Sequence, residues 1–282
     1  MISYFQCLYR QSRSGLAIIA IALLLSSCAT VSSDTSAEPV AANFNSGPTV
    51  LITGSNRGIG LAFVKHYTAA GWNVIATTRS PAKADELNAI AKDHPQVVVE
   101  QLDVTDLERI ASLAAAYKGV PIDVLINNAA VLGDLKGQRY GTLDYEQFQW
   151  TMAVNVFGPM AMAEAFEANV AASEQRKIVT LTSGLGSLTL MSKMQGMSYY
   201  RISKAGVNMG MRAIRASLKS EDIIVALIAP GMVQTQLLVD SGYRGKALTP
   251  EYSAAGMAEI IAGLTLEDKG KPTNVDGAII PW

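Results

Sequence analysis

Histidine and cysteine are scarce in this chain of 282 residues, which contains two of each. Both cysteines, Cys7 and Cys28, lie close to the N-terminus, and the two histidines are His66 and His94. A His/Cys metal site in the folded body is therefore not expected, because such sites need several of these ligands together. The chemistry is expected to use serine, tyrosine, lysine, asparagine and carboxylate side chains.

A large excess of charge of either sign is also lacking. The chain has 23 Lys and Arg residues against 24 Asp and Glu residues, for a net charge of -1. Without a basic excess, a nucleic-acid partner is not indicated. Hydrophobic residues make up 49% of the chain and charged residues 17%, which is typical of globular proteins. Residues 47–282 are enough for one α/β domain and few for two.

The N-terminal residues differ in composition from the rest. Arg10 and Arg13 precede an uncharged apolar run, Leu16–Leu25, which has the length of a signal-peptide core and not of a membrane span. The sequence Leu-Ser-Ser-Cys that ends at Cys28 is similar to the lipobox of bacterial lipoproteins, in which the cysteine receives the lipid. Residues 1–28 are therefore interpreted as a lipoprotein-type signal peptide. An uncleaved anchor or a mis-assigned start codon is the alternative.

The segment 29–46 is rich in Ser, Thr, Ala and Pro and is interpreted as a flexible tether. With a lipid at Cys28, the protein is expected to be anchored in the bacterial cell envelope. Ala29 follows the cysteine where an aspartate would be a retention signal, so the outer membrane facing the periplasm is expected. If the leader is not used, the protein is expected in the cytoplasm.

Short apolar runs rich in β-branched residues alternate with helix-length segments through residues 47–282. This alternation predicts βαβ units and a single-domain α/β fold of the Rossmann type, with about seven strands in a doubly wound parallel sheet. The predicted strands are Thr49–Thr53, Asn73–Thr77, Val97–Leu102, Val124–Asn127, Lys177–Thr182, Ile223–Ala229 and Gly277–Ile280.

The first predicted strand runs into a glycine-rich turn, and a helix is predicted to follow from about Leu61. Glycines let the backbone turn tightly and approach a pyrophosphate, and the N-terminus of the helix supplies free N–H groups. Such a turn is weak evidence alone, but its place between a first strand and a helix is the one that dinucleotide binding requires. The predicted phosphate-binding residues are Gly54, Ser55, Arg57, Gly58, Ile59 and Gly60.

The end of the second predicted strand distinguishes between the two nicotinamide cofactors. A carboxylate there would bind the ribose 2′-hydroxyl of NAD(H), but this strand is followed by Thr78 and Arg79. The guanidinium groups of Arg57 and Arg79 are suited to a 2′-phosphate. NADP(H) is therefore predicted in preference to NAD(H), and two ordinary surface arginines are the alternative.

Tyr200 and Lys204 are four residues apart, so on a helix they lie on one face. An ammonium group near a phenol stabilises the phenolate and is expected to lower the pKa of Tyr200, which suits a catalytic acid/base. Tyr199 is the rival tyrosine, but its spacing from Lys204 directs it away from that face. The pair follows the fifth predicted strand, at the edge of the sheet where ligands bind.

The fifth predicted strand ends near Ser183, which could donate a hydrogen bond to a substrate oxygen as charge develops on it. Ser187 is the alternative donor.

Asn155 is a polar amide within an apolar helical segment, where burial is costly unless the amide finds partners. It is a candidate catalytic residue, or else it caps or bends the helix before Gly158.

These motifs together resemble the short-chain dehydrogenase/reductase family over residues 50–282. The resemblance is carried by the Gly-x-x-x-Gly-x-Gly turn, by Ser183 and by the Tyr-x-x-x-Lys pair. Residues 200–209, 230–235 and 276–282 are most similar to the C-factor and sniffer-type carbonyl reductases. The Ser-x-x-Gly pattern of the family points to Ser183 as the substrate-orienting serine. The family also implies that Asn155 holds a water that links Lys204 to solvent.

The resemblance implies further cofactor contacts along the chain. Asp103 and Val104 are expected near the adenine, and the Asn-Asn-Ala-Ala turn near the ribose, with Ala130 where the family has glycine. Lys204 is expected to bind the ribose as well as tune Tyr200. The remaining implied cofactor residues are Asn127, Ala129, Pro230, Gly231, Val233 and Thr235.

The resemblance thus implies an NADP(H)-dependent oxidoreductase that interconverts a small-molecule carbonyl and an alcohol, and that assembles as a homodimer or homotetramer through the helices of Asn155 and Tyr200. Two other classes stay open. One is a cofactor-binding signalling protein of the C-factor type with little or no turnover, and the other is an envelope scaffold without its cofactor. A lipid anchor also conflicts with the cytoplasmic location of NADP(H), and the sequence leaves this conflict open.

Overall fold

The computed structural model describes residues 43–191 and 196–282. The predicted signal peptide and most of the predicted tether lie outside the described residues. Within them, seven strands form one parallel sheet in the order β3-β2-β1-β4-β5-β6-β7. The strands are β1 (Thr49–Ile52), β2 (Asn73–Thr78), β3 (Val97–Gln101), β4 (Val124–Asn127), β5 (Lys177–Leu181), β6 (Ile224–Ala229) and β7 (Thr273–Asn274).

Helices connect these strands and cover both faces of the sheet. A π-helical segment, Ala153–Phe157, joins α4 to α5 without a break, and short 3-10 turns follow β2, β5 and α7. The helices are α1 (Gly58–Ala69), α2 (Asp85–Asp93), α3 (Leu107–Ala116), α4 (Tyr145–Met152), α5 (Gly158–Ala165), α6 (Glu167–Ala171), α7 (Ser198–Ser217), α8 (Gln236–Asp240) and α9 (Pro250–Gly263).

The central strands are buried on both faces, which explains why they read as continuous apolar runs. Successive side chains of β1 point to opposite faces, so Val50 and Ile52 pack with α1 and α9 on one side. Leu51 packs on the other side, in the core that α3, α5 and α7 cover. The predicted fold class, a single-domain Rossmann-type doubly wound parallel sheet, is confirmed.

The last predicted strand, Gly277–Ile280, is wrong. The strand that pairs with β6 is β7, a few residues earlier. Gly277 has a φ of 83°, and the Asn274 N–H donates to the Ala278 carbonyl at 2.7 Å, so the chain reverses there. Ile279 then forms an antiparallel bridge back to Thr273. The apolar run therefore folds back over the edge of the sheet.

The chain just before β1 is fixed to the start of β2 by side-chain hydrogen bonds. The Asn45 N–H donates to Asn73 Oδ1 at 2.9 Å, and Asn73 Nδ2 donates to the carbonyls of Asn45 at 3.0 Å and Gly47 at 2.9 Å. Phe44 packs against the core on the α3, α5 and α7 face. Across the described residues, no helix combines the length and apolar character needed to cross a membrane.

Candidate active site

A cleft of about 1850 Å³ opens at the carboxyl ends of the strands. The strand order reverses between β1 and β4, and in such sheets a ligand crevice forms at that point. The residues after β1, β2, β3, β4, β5 and β6 all contribute to its walls. The fold thereby brings together residues that are far apart in the sequence.

The glycine-rich turn between β1 and α1 forms one wall of the cleft and is packed too tightly for side chains. Gly54 has a φ of 68°, which favours glycine. A Cβ at Gly60 would collide with the Gly54 carbonyl oxygen, and a Cβ at Gly58 would lie 3.2 Å from the Thr235 methyl group. The backbone of the turn is therefore open to a ligand that must approach it closely.

The N-terminus of α1 has the properties of a phosphate site. Arg57 is its N-cap residue, makes no side-chain capping bond, and is followed by a first turn without an acidic residue. The first N–H groups of the helix are thus left for a ligand, at the positive end of the helix dipole. Together with the bare glycine backbone, this arrangement fits a pyrophosphate.

Asn128 holds the glycine-rich turn to the end of β4, and sequence reasoning missed it as a site residue. Its Nδ2 donates to the carbonyls of Thr53 at 2.8 Å and Gly54 at 3.0 Å. Thr53 Oγ1 in turn accepts from the N–H groups of Asn128 and Ala129, both at 3.0 Å. The adjacent asparagines in the sequence pointed to this place, but the prediction named Asn127 and not Asn128.

Two predicted arginines and an acidic residue lie on the cleft surface. Arg57 and Arg79 are exposed and line the cleft, and neither forms a salt bridge within the part of the chain that the structure describes. Asp103 and Val104 line the same cleft. Asp103 Oδ1 accepts from the Thr105 N–H at 2.9 Å, which fixes the carboxylate after β3.

Tyr200, Lys204 and Ser183 come together in the cleft. Tyr200 and Lys204 are nearly fully buried on the same face of α7, and Lys204 Nζ lies 5.7 Å from the centre of the Tyr200 ring. Lys204 Nζ donates to the Leu181 carbonyl at 2.8 Å, which ties the ammonium to the end of β5. Ser183 begins the 3-10 turn after β5, and its Oγ accepts from the Leu185 N–H at 3.1 Å.

The predicted direction of the Tyr200 pKa shift is wrong for this structure. Burial raises the pKa of Tyr200 to about 12, and the interaction with the Ser183 hydroxyl lowers it only in part. Burial also lowers the pKa of Lys204 to about 8. The reason is desolvation, because burial disfavours both the phenolate and the ammonium.

The two rival residues lie outside the cleft. Tyr199 is buried against Phe148, with ring centres 5.2 Å apart in an edge-to-face arrangement. Ser187 is buried, and its Oγ accepts from the Leu190 N–H at 3.1 Å. The structure therefore places Ser183 and Tyr200, and not these neighbours, on the cleft surface.

Three predicted site residues are not brought to the cleft surface, because their side chains are buried in other hydrogen bonds. Ser55 Oγ donates to the Ile52 carbonyl at 2.8 Å and closes the end of β1. Asn127 Nδ2 lies 3.3 Å from both the Pro159 carbonyl and Thr180 Oγ1. The third is Asn155. Their assigned roles stay predictions.

Asn155 lies in the π-helical segment and connects two parts of the site. Its amide makes two 2.8 Å hydrogen bonds to the backbone of Val131, one as acceptor and one as donor. Its Nδ2 also donates to Ser203 Oγ at 2.9 Å, on α7 between Tyr200 and Lys204. Such π-bulges often occur at functional sites. This side chain therefore holds the segment after β4 beside α7.

The segment after β6 forms part of the cleft wall. Its predicted cofactor residues, Pro230, Gly231, Val233 and Thr235, all line the cleft. Ser253 Oγ on α9 donates to the Pro230 carbonyl at 2.7 Å. Thr235 caps α8, with its Oγ1 accepting from the Leu238 N–H at 3.3 Å.

Part of the cleft lining is apolar. Met197, Leu237 and Ile279 are among its lining residues.

Arg201 also lines the cleft, although it is not among the residues that the sequence predicts for the site. Its Nε donates to the Gly196 carbonyl at 3.1 Å, and burial lowers the pKa of its guanidinium.

Comparisons with known proteins agree with this geometry. The model of the short chain dehydrogenase family matches residues 48–244. A 1-hydroxy-2-glutathionyl-2-methyl-3-butene dehydrogenase from Rhodococcus sp. is 33% identical over 236 residues, which cover 83% of this chain and 99% of that protein. C-signal from Myxococcus xanthus is 34% identical over 163 residues, or 57% of this chain and 93% of C-signal.

Among solved structures, the NADPH-bound carbonyl reductase from chicken fatty liver is 30% identical. It has a TM-score of 0.76 and covers 84% of this chain and 99% of that chain. The family match spans the glycine-rich turn, Ser183, Tyr200 and Lys204, the residues that carried the resemblance. The chain therefore belongs to the short-chain dehydrogenase family and is an oxidoreductase of the NAD(P)-dependent dehydrogenase/reductase type.

Proposed function

We propose that the protein uses NADP(H) to interconvert a carbonyl and an alcohol, with Tyr200 as the acid/base. The observation that carries the proposal is the meeting of Tyr200, Lys204 and Ser183 in one cleft. The same cleft contains the glycine-rich turn and two exposed arginines without salt bridges in the described residues. Proton transfer and dinucleotide binding are thus served by one continuous site.

In the direction of reduction, Tyr200 donates its phenolic proton to the carbonyl oxygen as negative charge develops there. The Ser183 hydroxyl donates a hydrogen bond to the same oxygen and orients it. Lys204 binds the ribose and, held by Leu181, keeps a positive group beside the phenol. The reduced nicotinamide supplies the hydride.

The residues that would hold NADP(H) follow the length of the cleft. The glycine-rich turn and the start of α1 would bind the pyrophosphate, and Arg57 and Arg79 would bind the 2′-phosphate. Asp103 and Val104 would contact the adenine, and the segment from Pro230 to Thr235 would cover the nicotinamide. The NADPH bound to the similar chicken carbonyl reductase supports the choice of NADP(H).

The proposal is tested by following NADPH oxidation by the purified protein with a panel of aldehydes, ketones and quinones. We expect turnover with at least one of these classes, and a higher kcat/KM with NADPH than with NADH. Tight NADPH binding without turnover of any carbonyl would contradict the catalytic proposal.

The similarity to C-signal favours a second candidate function, signalling through the cofactor-bound protein. In that case binding of the dinucleotide matters more than turnover. Comparing the signalling effect of the wild type with that of Tyr200→Phe separates the two functions. An equal effect supports signalling without catalysis, and a lost effect links any signal to the reaction.

For location, our proposal is that Cys28 carries a lipid that anchors the catalytic domain in the bacterial cell envelope. The sequence around Cys28, with its preceding apolar run, supports this proposal. Incorporation of labelled palmitate into the wild type, and its loss in Cys28→Ala, is the expected result. Unlabelled wild type in the cytoplasmic fraction would contradict it and would remove the conflict with cytoplasmic NADP(H).

For assembly, our proposal is a homodimer or homotetramer built on the helices that carry Asn155 and Tyr200. Exposed apolar side chains on these helices support it, such as Phe157 and Met209. Sedimentation of the purified protein tests it, with a monomer at all concentrations as the contradicting result.

A further inference from the structure

The catalytic helix α7 does not cap its own N-terminus. Helices α3, α4, α8 and α9 each begin with an aspartate or threonine whose side chain accepts a backbone N–H. Helix α7 instead follows Met197, which has a φ of 53° and makes no side-chain capping bond. The helix that carries Tyr200 and Lys204 therefore needs another acceptor for its first N–H groups.

Gln138, in the segment between β4 and α4, supplies that acceptor. Its Oε1 accepts from the N–H groups of Tyr199 at 3.0 Å and Tyr200 at 3.2 Å. These are the second and third residues of α7, whose N–H groups a local N-cap side chain would normally bind. A residue about sixty positions away in the chain thus caps the helix at the backbone of Tyr200 itself.

The other half of the same amide holds another part of the cleft lining. Gln138 Nε2 donates to the Leu132 carbonyl at 2.8 Å, and Leu132 lines the cleft after β4. The Gln138 side chain is completely buried. A Cβ at Gly133 would lie 3.0 Å from Gln138 Nε2 and 2.9 Å from Thr151 Oγ1, so the chain passes closely over the amide. Its position is therefore fixed from several sides.

We propose that Gln138 is a positioning residue, which sets the place of the Tyr200 phenol relative to Ser183 and Lys204. This inference rests on the proposed function of Tyr200. An amide fits here in one orientation, because its oxygen must face two N–H groups and its nitrogen a carbonyl. Gln138 therefore couples the start of α7 to the segment after β4, and loss of the acceptor displaces Tyr200 from its working geometry.

The test replaces Gln138 by two residues of similar length. Gln138→Met removes both the acceptor for α7 and the donor to Leu132 and keeps most of the volume, whereas Gln138→Glu keeps the acceptor. Asn169→Leu is the matched control, because Asn169 is a buried amide whose Nδ2 donates to the Tyr117 and Val120 carbonyls, away from the cleft. Each variant is compared with the wild type in kcat, KM, NADPH affinity and thermal unfolding.

We expect Gln138→Met to lower kcat by roughly 10- to 100-fold, since small misplacements of a catalytic group have effects of this size. The NADPH Kd is expected to change less than kcat, because Gln138 hydrogen-bonds the cleft wall at Leu132 and the start of α7, and not the glycine-rich turn or the two arginines. In Gln138→Glu we expect much of kcat to return, most at low pH, where the protonated carboxyl can donate to the Leu132 carbonyl. Asn169→Leu is expected to lose stability and keep kcat.

A second readout needs no turnover. In protein labelled with 13C at tyrosine Cζ, Tyr200→Phe identifies the Tyr200 resonance. We expect this resonance to shift in Gln138→Met and to be unchanged in Asn169→Leu. If Gln138→Met only loses stability, with kcat and the Tyr200 resonance as in wild type, Gln138 is a structural cap and the inference is overturned. Absence of turnover in the wild type would instead contradict the proposed function, and the resonance would still decide the role of Gln138.

Discussion

Burial controls the protonation of the two central catalytic candidates. It raises the pKa of Tyr200 to about 12 and lowers the pKa of Lys204 to about 8, because desolvation favours the neutral form of each. The Tyr200 phenol is therefore protonated across the neutral range. This is the state that an acid needs in carbonyl reduction, whereas alcohol oxidation needs the phenolate.

The two reaction directions are therefore expected to depend differently on pH. The kcat for reduction should be nearly constant up to neutral pH, fall as Lys204 loses its charge near its pKa of about 8, and fall further as the pH approaches the pKa of Tyr200. The kcat for alcohol oxidation should rise with pH, by up to roughly tenfold per unit, as the phenolate fraction grows. Steady-state profiles in both directions check this, and an oxidation rate that falls with rising pH would contradict it.

Arg79 is expected to decide between the two cofactors. If Arg79 binds the 2′-phosphate as proposed, Arg79→Ser removes a charge-assisted contact worth about 1.5–3 kcal/mol, so the Kd for NADPH should rise roughly 10- to 100-fold. The Kd for NADH should change by less than about threefold, because NADH lacks the 2′-phosphate. Fluorescence titration measures both, and Arg139→Ser is the control, since Arg139 is exposed and outside the cleft. Equal loss for both cofactors would argue against a 2′-phosphate contact.

At the scale of the element, the turn between β1 and α1 needs glycine at Gly60, because there is no room there for a side chain. A methyl group at Gly60 would collide with the Gly54 carbonyl, so Gly60→Ala should displace the turn and weaken NADPH binding by about tenfold or more. Gly263→Ala is the matched control, because a Cβ at that end of α9 meets nothing within 4 Å. Calorimetric binding of NADPH to both variants checks the prediction. Unchanged affinity in Gly60→Ala would show that the turn does not bind the pyrophosphate.

Apolar runs predicted the first six strands to within one residue at each end. Five of them are buried along almost their whole length, and strands buried on both faces need continuous apolar sequence. Only β3, at the edge of the sheet, is largely half-buried. The last prediction, Gly277–Ile280, failed because an apolar run at a sheet edge can serve another purpose. Here the chain turns at Gly277, and the run lines the cleft through Ile279 and Ile280. Whether an apolar run lies at the edge of the sheet depends on the tertiary structure, and the local sequence pattern does not predict it.

For the molecule as a whole, motifs at strand ends identified the cleft, but not the side chains that hold its walls together. Gln138 and Asn128 act on backbone groups far away in the chain, and no local spacing signals such contacts. The pKa of Tyr200 was missed for a similar reason, since the sequence shows the nearby lysine but not the depth of burial. Most residues that line the cleft were thus predictable, and the side chains that hold its walls in place were not.

Because the cleft is formed from both halves of the sheet, its ligand should stabilise the entire domain. NADPH at about 100 times its Kd adds about 2.7 kcal/mol to the free energy of unfolding. For a domain of this size, the unfolding midpoint should rise by roughly 5–10 °C. Thermal unfolding with NADPH and with NADH at equal concentration checks this, and a smaller rise with NADH is expected. No shift with either nucleotide would contradict dinucleotide binding.

The most direct test of the account is the kcat of Tyr200→Phe beside that of Tyr199→Phe, with a carbonyl substrate and NADPH. Both changes remove one hydroxyl from neighbouring buried tyrosines, but only Tyr200 lines the cleft. We predict that Tyr200→Phe loses about 10²- to 10⁴-fold in kcat with NADPH binding intact, and that Tyr199→Phe stays near wild type. Full turnover in Tyr200→Phe would contradict the assignment of Tyr200 as the acid/base.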